Sequence, residues 1–145
     1  MKHIVYLGIG SNLGDREQLL RQAIMEIDKQ VGSVVRQSAF LETEPQGFAS
    51  THTFLNAAVC CETDLSPRQL LSATQHIEWM LGKRPQHATG HAVAGHQEPA
   101  YHDRPVDIDI LMYDDLTIDT PELTIPHPRM QERDFVMIPL REIMP

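Results

Sequence analysis

Cysteine, aromatic residues and basic charge are all scarce in this 145-residue sequence, and each shortage excludes a class of function. The only two cysteines, Cys60 and Cys61, are adjacent. On a strand they would point to opposite faces, so they suit neither a mutual disulfide nor a zinc pair, and a reducing cytoplasm is the expected location. Aromatic residues make up 6%, and twelve Lys and Arg stand against twenty Asp and Glu, a net charge of -8. That balance argues against a surface built to coat nucleic-acid phosphates. No apolar run approaches the ~18 residues a membrane-spanning helix needs. The few apolar residues after Met1-Lys2-His3 read as a first strand, not a signal peptide.

What remains is ordinary soluble composition, 41% hydrophobic and 22% charged, which sets aside collagen-like and wholly disordered readings. A chain of this length is expected to form one domain, residues 1–145, burying roughly 68–70% of its unfolded surface. Lys2 to Gly10 reads as a buried central strand. Leu20, Ala23, Ile24, Ile27 and Val31 recur at helical spacing after Asp15 and Gln18, placed like a capping box, and before Gly32. Val34 to Thr43 and Thr53 to Thr63 read as strands around the Pro- and Gly-bearing turn Glu44-Pro45-Gln46-Gly47. Ser66-Pro67-Arg68-Gln69 opens a second helix, striped by Leu70, Leu71, Thr74, Ile77 and Leu81 and ended by Gly82.

Residues 83 to 103 carry Gly, Ala, Pro and four histidines without any period, and a segment this long suggests a lid or binding loop. Its His87, His91, His96 and His102 match no zinc-site spacing and read as solvated. A strand from Val106 to Tyr113 follows, then a turn at Asp114-Asp115, short extended pieces and a Pro-bounded tail with weak helix signals. The order β-α-β-β-α-β is that of a ferredoxin-like α+β sandwich, an antiparallel sheet with helices packed on it.

The strongest chemical signal is Arg104-Pro105-Val106-Asp107-Ile108-Asp109. Strand alternation puts Asp107 and Asp109 on one side, roughly 6.5 to 7 Å apart at Cα. Magnesium commonly takes one or two protein carboxylates and completes its shell with water and phosphate oxygens. Arg104 adds a phosphate partner, against the alternative of a solvated strand face. Gly8-Ile9-Gly10-Ser11-Asn12-Leu13-Gly14 looks like a phosphate loop, but it has Leu13 where a dinucleotide fingerprint needs Gly and Asp15-Arg16 where a Walker loop needs Lys-Ser/Thr. On its own it reads as a tight strand-to-helix turn. His127 with Arg133 offers further donors, and Phe54 and Phe135 are by themselves ordinary core candidates.

Together these segments, with Thr43-Glu44-Pro45-Gln46-Gly47, Phe54-Leu55-Asn56-Ala57-Ala58-Val59 and Pro126-His127, resemble one family over essentially the whole chain: the 6-hydroxymethyl-7,8-dihydropterin pyrophosphokinases of folate biosynthesis. The resemblance implies transfer of diphosphate from ATP to the pterin hydroxymethyl group, with AMP released. It implies two Mg2+ ions held by Asp107 and Asp109, which with Arg104 form the catalytic set. Gln75, Glu78, Lys83, Arg104, Ile110, Thr124, His127 and Arg133 match ATP-binding positions. Thr43, Glu44, Gln46, Phe54, Asn56, Asp107 and Phe135 match pterin-binding positions, the two Phe rings sandwiching the heterocycle. The partners implied are ATP and the pterin, with no nucleic acid and no membrane, and a monomer is expected. Two rivals remain. Another Mg-dependent nucleotidyl or phosphoryl transferase of the same layout would need no aromatic pair, and an RNA-binding sheet would need basic charge and exposed strand aromatics.

Overall fold

The apolar first strand, β1 (His3–Ser11), has a hydrogen-bonded neighbour on each side. The structure is a computed structural model and describes residues 2–43, 53–83 and 105–145. β1 lies between β4 (Phe54–Thr63) and β5 (Asp107–Tyr113), and β2 (Gly32–Gln37) completes the order β2-β4-β1-β5, antiparallel throughout. β3 (Leu41–Thr43) pairs with the start of β4. A two-stranded ribbon, β6 (Ile118–Asp119) and β7 (Thr124–Ile125), follows β5.

Three helices cover the two faces of this sheet. α1 (Arg16–Gln30) begins where the Asp15 carboxylate accepts from the Gln18 N–H at 3.2 Å. α2 (Pro67–Glu78) begins with the reciprocal capping box of Ser66 and Gln69. Their buried residues Leu20, Ala23, Ile27, Leu70 and Ile77 pack on Val5, Leu7, Ile9, Ala57, Val59, Cys61, Ile108 and Ile110. Each fully buried aliphatic side chain stabilises the fold by about 1.5–3 kcal/mol. α3 (Asp134–Ile143) sets Val136, Leu140 and Ile143 against Tyr6, Ala58, Cys60 and Leu111 on the opposite face. Cys60 and Cys61 are therefore buried on opposite sides, and burial pushes the Cys61 thiol up to about 12, leaving it inert.

Several expectations need correction. The single strand expected from Val34 to Thr43 is two, because at its middle the Ser38 hydroxyl accepts from the Ala58 N–H while the Ser38 N–H donates to the Ala58 carbonyl, both at 2.9 Å. Ser38 thus satisfies β4 with its side chain and lets the edge bend. α2 ends at Glu78 and passes into a single π-turn, Trp79–Lys83. Gly82 sits there at φ +149°, and an added Cβ would lie 2.6 Å from Pro105, so the end of this turn meets the start of the β5 region. The tail read as having only weak helix signals forms the ten-residue α3. The segment 83–103, expected as a lid, lies outside the described residues except for the Lys83 backbone, as do Glu44, Gln46 and Arg104.

Candidate active site

Alternation in β5 sends Ile108 and Ile110 into the helix-covered core and Asp107 and Asp109 to the face that carries α3. In the register across the sheet, Asp107 stands opposite Gly10, which stands opposite Asn56 and then Leu41. Asp109 stands opposite Gly8 and then Ala58. Two strand spacings separate the backbone of Asp107 from that of Asn56, so the trough between them is roughly 10 Å wide at the backbone, with Gly10 buried beneath the Asn56 amide and Gly8 against the Leu111 side chain, whose Cδ1 lies 3.4 Å from where a Cβ would stand. Gly8 and Gly10 are thus part of the strand, not of a turn. The turn follows at Asn12 to Asp15, where Gly14 takes φ +69°. A Cβ on Gly10 would fall 2.9 Å from Asn56 Oδ1.

The far wall of the trough is β3 with β4. Thr43 pairs with Phe54, and the Asn56 Nδ2 donates to Thr43 Oγ1 at 2.9 Å, fixing the orientation of a buried amide. Phe54 and Phe135 are both partly exposed, unlike core rings, and Phe135 enters from the first turn of α3. The Arg133 guanidinium lies 5.7 Å from the Phe135 ring centroid. His127 is held to β5 by its N–H, which donates to the Leu111 carbonyl at 3.0 Å. Its Nδ1 donates to the Pro128 carbonyl at 2.8 Å, since a carbonyl only accepts, and Nε2 then stands 3.8 Å from Asp109 Oδ1. Burial, aided by the Arg133 charge and opposed by the Pro128 bond and Asp107, holds the imidazole below its ordinary value, so the neutral ring presents an Nε2 lone pair to this side.

Five expected residues, Thr43, Phe54, Asn56, Asp107 and Asp109, therefore share one sheet face, with His127, Arg133 and Phe135 arriving from the C-terminal segment. The others sit differently. The Ile110 side chain is in the opposite core, leaving its backbone on the outer edge of β5. Glu78 is buried, and its Oε2 accepts from the Ile108 N–H at 2.7 Å, pinning β5 between the two aspartates. Gln75 is exposed on α2 and Thr124 is half-buried in β7. Sequence reasoning missed the place of Gly8 and Gly10 within the strand and the hold of Glu78 on β5. The alternation of Gly8 and Gly10 with Leu7 and Ile9 was the available signal for the first.

The model of the 7,8-dihydro-6-hydroxymethylpterin-pyrophosphokinase (HPPK) family matches residues 6–145. The chain belongs to this family. It is 47% identical over 143 residues to a 2-amino-4-hydroxy-6-hydroxymethyldihydropteridine pyrophosphokinase of Porphyromonas gingivalis, covering 98% of this chain and 91% of the relative. It is 40% identical over 144 residues to the protein of the same name in Bacillus subtilis, covering 99% and 79%. Among solved structures, an HPPK-DHPS in complex with substrates superposes with a TM-score of 0.74 at 15% identity, over 99% of this chain and 40% of that one. That likeness shows a shared fold, an antiparallel sheet with packed helices, which in the solved structure forms one part of a longer chain. In this HPPK-family chain, one sheet face carries the paired carboxylates of Asp107 and Asp109, the Asn56 amide and the partly exposed Phe54 ring.

Proposed function

We propose that the trough is the reaction site, with Asp107 and Asp109 at its phosphate end and Phe54, Asn56 and Phe135 at its pterin end. The chain is an ATP-dependent pyrophosphokinase of folate biosynthesis. It transfers diphosphate from ATP to the hydroxymethyl group of 6-hydroxymethyl-7,8-dihydropterin and releases AMP. The observation that supports the site assignment is the register row Asp107–Gly10–Asn56, which sets a carboxylate and a fixed amide on the same sheet face, two strands apart.

The donor set fits magnesium. Two carboxylates share the face, and no group of three or more His, Cys, Asp or Glu that could hold a metal occurs among the described residues. Such a site leaves most of an octahedral shell to phosphate oxygens and water, which is how Mg2+ is usually bound. Asp107 and Asp109 would hold two ions. Bound there, Mg2+ supplies neutralisation of polyphosphate charge.

The protein's own groups do the positioning. Phe54 and Phe135 offer apolar faces to a flat heterocycle, while Asn56 and the strand edge at Thr43 offer donors and acceptors to its polar rim. Glu44 and Gln46 match pterin-binding positions by the family resemblance. Holding the hydroxymethyl oxygen in line with the β-phosphorus turns a bimolecular step into an intramolecular one. His127 and Arg133 face the phosphates, and Arg104 matches a phosphate-binding position by the same resemblance. A polyphosphate near His127 would favour its protonation at Nε2, turning it into a donor to phosphate oxygen. Gln75, Glu78, Lys83, Thr124 and the backbone edge at Ile110 belong to the nucleotide end, and Asp107 also reaches the pterin.

We read the sheet as ferredoxin-like, supported by the order β2-β4-β1-β5, and the whole chain as one domain acting as a monomer. The lid reading of segment 83–103 rests on its sequence alone. Buried, unbridged Cys60 and Cys61 suit a cytoplasmic setting, and no described helix is long and apolar enough to cross a membrane. The test is incubation with ATP, Mg2+ and the reduced pterin, followed by nucleotide separation. AMP is expected, and ADP as the sole product overturns the reading.

A further inference from the structure

β3 is only three residues long and pairs with β4 at just Leu41–Asn56, Glu42–Leu55 and Thr43–Phe54. A strand this short needs something besides its ladder to stay in place. Besides the Asn56–Thr43 bond, Arg16, the first residue of α1, supplies such a tie. Its Nη1 donates to the Thr53 carbonyl at 3.0 Å, to the Thr53 hydroxyl at 2.6 Å and to Glu42 Oε2 at 3.1 Å. The Thr53 hydroxyl in turn donates to the same Glu42 oxygen at 2.6 Å. One guanidinium therefore ties β3, through Glu42, to the residue preceding β4. The Thr53 hydroxyl, followed by Arg16, holds the Glu42 carboxyl below its ordinary range. An exposed ion pair alone would contribute little, but this one also binds main chain and a hydroxyl whose own bond completes the triangle.

The triangle sits beside the pterin wall. Glu42 and Thr53 are the immediate neighbours of Thr43 and Phe54, and Thr43 is the hydrogen-bond partner that orients Asn56. We propose that Arg16 is a positioning residue for the pterin half of the site, clasping the β3–β4 pair at the end where the chain connects the two strands, so that Phe54 and Asn56 meet the ring in fixed geometry. The inference rests on the pterin assignment of Phe54 and Asn56 made above. Arg16 touches neither ring nor phosphate in this scheme, so its loss acts on one substrate only.

The experiment measures kcat and both KM values for the full chain, Arg16→Met, Arg16→Lys and Thr53→Val, with thermal melts and calorimetric titration of the pterin. Arg16→Met is expected to raise pterin KM and Kd by about 10-fold, with ATP KM and kcat within about threefold, because uniform binding of one substrate is removed. Arg16→Lys keeps charge and donors and is expected to recover most of the pterin affinity. Thr53→Val, which keeps Arg16 and the β-branch, is expected to weaken pterin binding by about threefold and carries the test if Arg16→Met fails to fold. An unchanged pterin KM in the folded variants overturns the proposal, as does a parallel rise in both KM values with a falling melting temperature. A parent chain that releases no AMP overturns the pterin reading and this inference with it. A parent that releases AMP while Arg16→Met binds pterin normally overturns this inference alone.

Discussion

The two faces of the same central strands differ in what their residues are for. On the side of α1 and α2, Val5, Leu7, Ile9, Ala57, Val59, Ile108 and Ile110 form a closed apolar layer. On the other side, at the same strand ends, the alternate positions are Gly8, Gly10, Asn56, Asp107 and Asp109, and α3 covers only the part built on Tyr6, Ala58, Cys60 and Leu111. One face is apolar along its whole length, while the other divides between an apolar patch under α3 and the polar row that we propose holds the ligands. Because a strand's side chains alternate, stability and chemistry can be encoded one residue apart without competing for the same position. A register shift at Tyr6/Leu7 limits the pattern: Leu111 and Met112 both pack on the α3 side, and Tyr113 turns back to the helix-covered core, where its hydroxyl donates to the Leu65 carbonyl.

Substitutions on each face should separate these roles. The largest effect is expected from Asp107→Ala, which should lower turnover by about 10²-fold or more with little change in melting temperature, because it removes a carboxylate proposed to hold the Mg2+ that offsets phosphate charge. Asp115→Ala, exposed in the turn after β5, is the control. Near-normal turnover of Asp107→Ala at saturating magnesium would return the carboxylate pair to a solvated strand face. On the core face, Leu20→Ala should cost about 2–5 kcal/mol of stability, read from denaturant titration, while KM values of the folded enzyme stay near those of the parent. Smaller still, Phe135→Ala should weaken pterin binding by about 10-fold in calorimetry and cost less stability than the ~3–5 kcal/mol of a buried Phe.

The smallest effect concerns the seam where β1 begins. Asp114, at φ +48°, accepts from the Ile4 N–H and from His3 Nδ1, both at 2.7 Å. Burial raises its carboxyl, but these bonds and the His3 charge outweigh burial and hold it below the ordinary range. A folded value below the unfolded one means stability that is fully present above about pH 4 and is lost as pH falls through the folded value. Asp114→Asn should therefore lower the melting temperature by about 2–4 °C at neutral pH, with the gap closing in acid and turnover at pH 7 unchanged. A gap that is constant with pH would show that the seam does not depend on this charge.

Much of this arrangement was legible from local pattern. Asp15 and Ser66 marked the helix starts because a cap is a short-range bond, and the stripes Leu20–Ala23–Ile27 and Leu70–Thr74–Ile77 are buried as their spacing implies. The facing of Asp107 and Asp109 followed from alternation alone. α3 gave only weak signals because Pro139 interrupts its pattern and Arg133 provides no side-chain cap, although Val136, Leu140 and Ile143 sit at helical spacing. The break at Ser38 depends on Ala58, twenty residues on, so no local signal carried it. The same holds for Glu78 on Ile108 and for Arg16 on Thr53, where a charged residue acts on a strand distant in sequence.

The central claim, that one strand serves two separate purposes on its two faces, is tested most directly by a single pair of adjacent residues in β5. Turnover to AMP and unfolding free energy are measured side by side for Asp109→Ala and Ile108→Ala. Asp109→Ala is expected to lose about 10²-fold or more in turnover at nearly unchanged stability, while Ile108→Ala loses about 2–5 kcal/mol of stability and keeps near-parental turnover in its folded fraction. Equal losses of both quantities in both variants would contradict it.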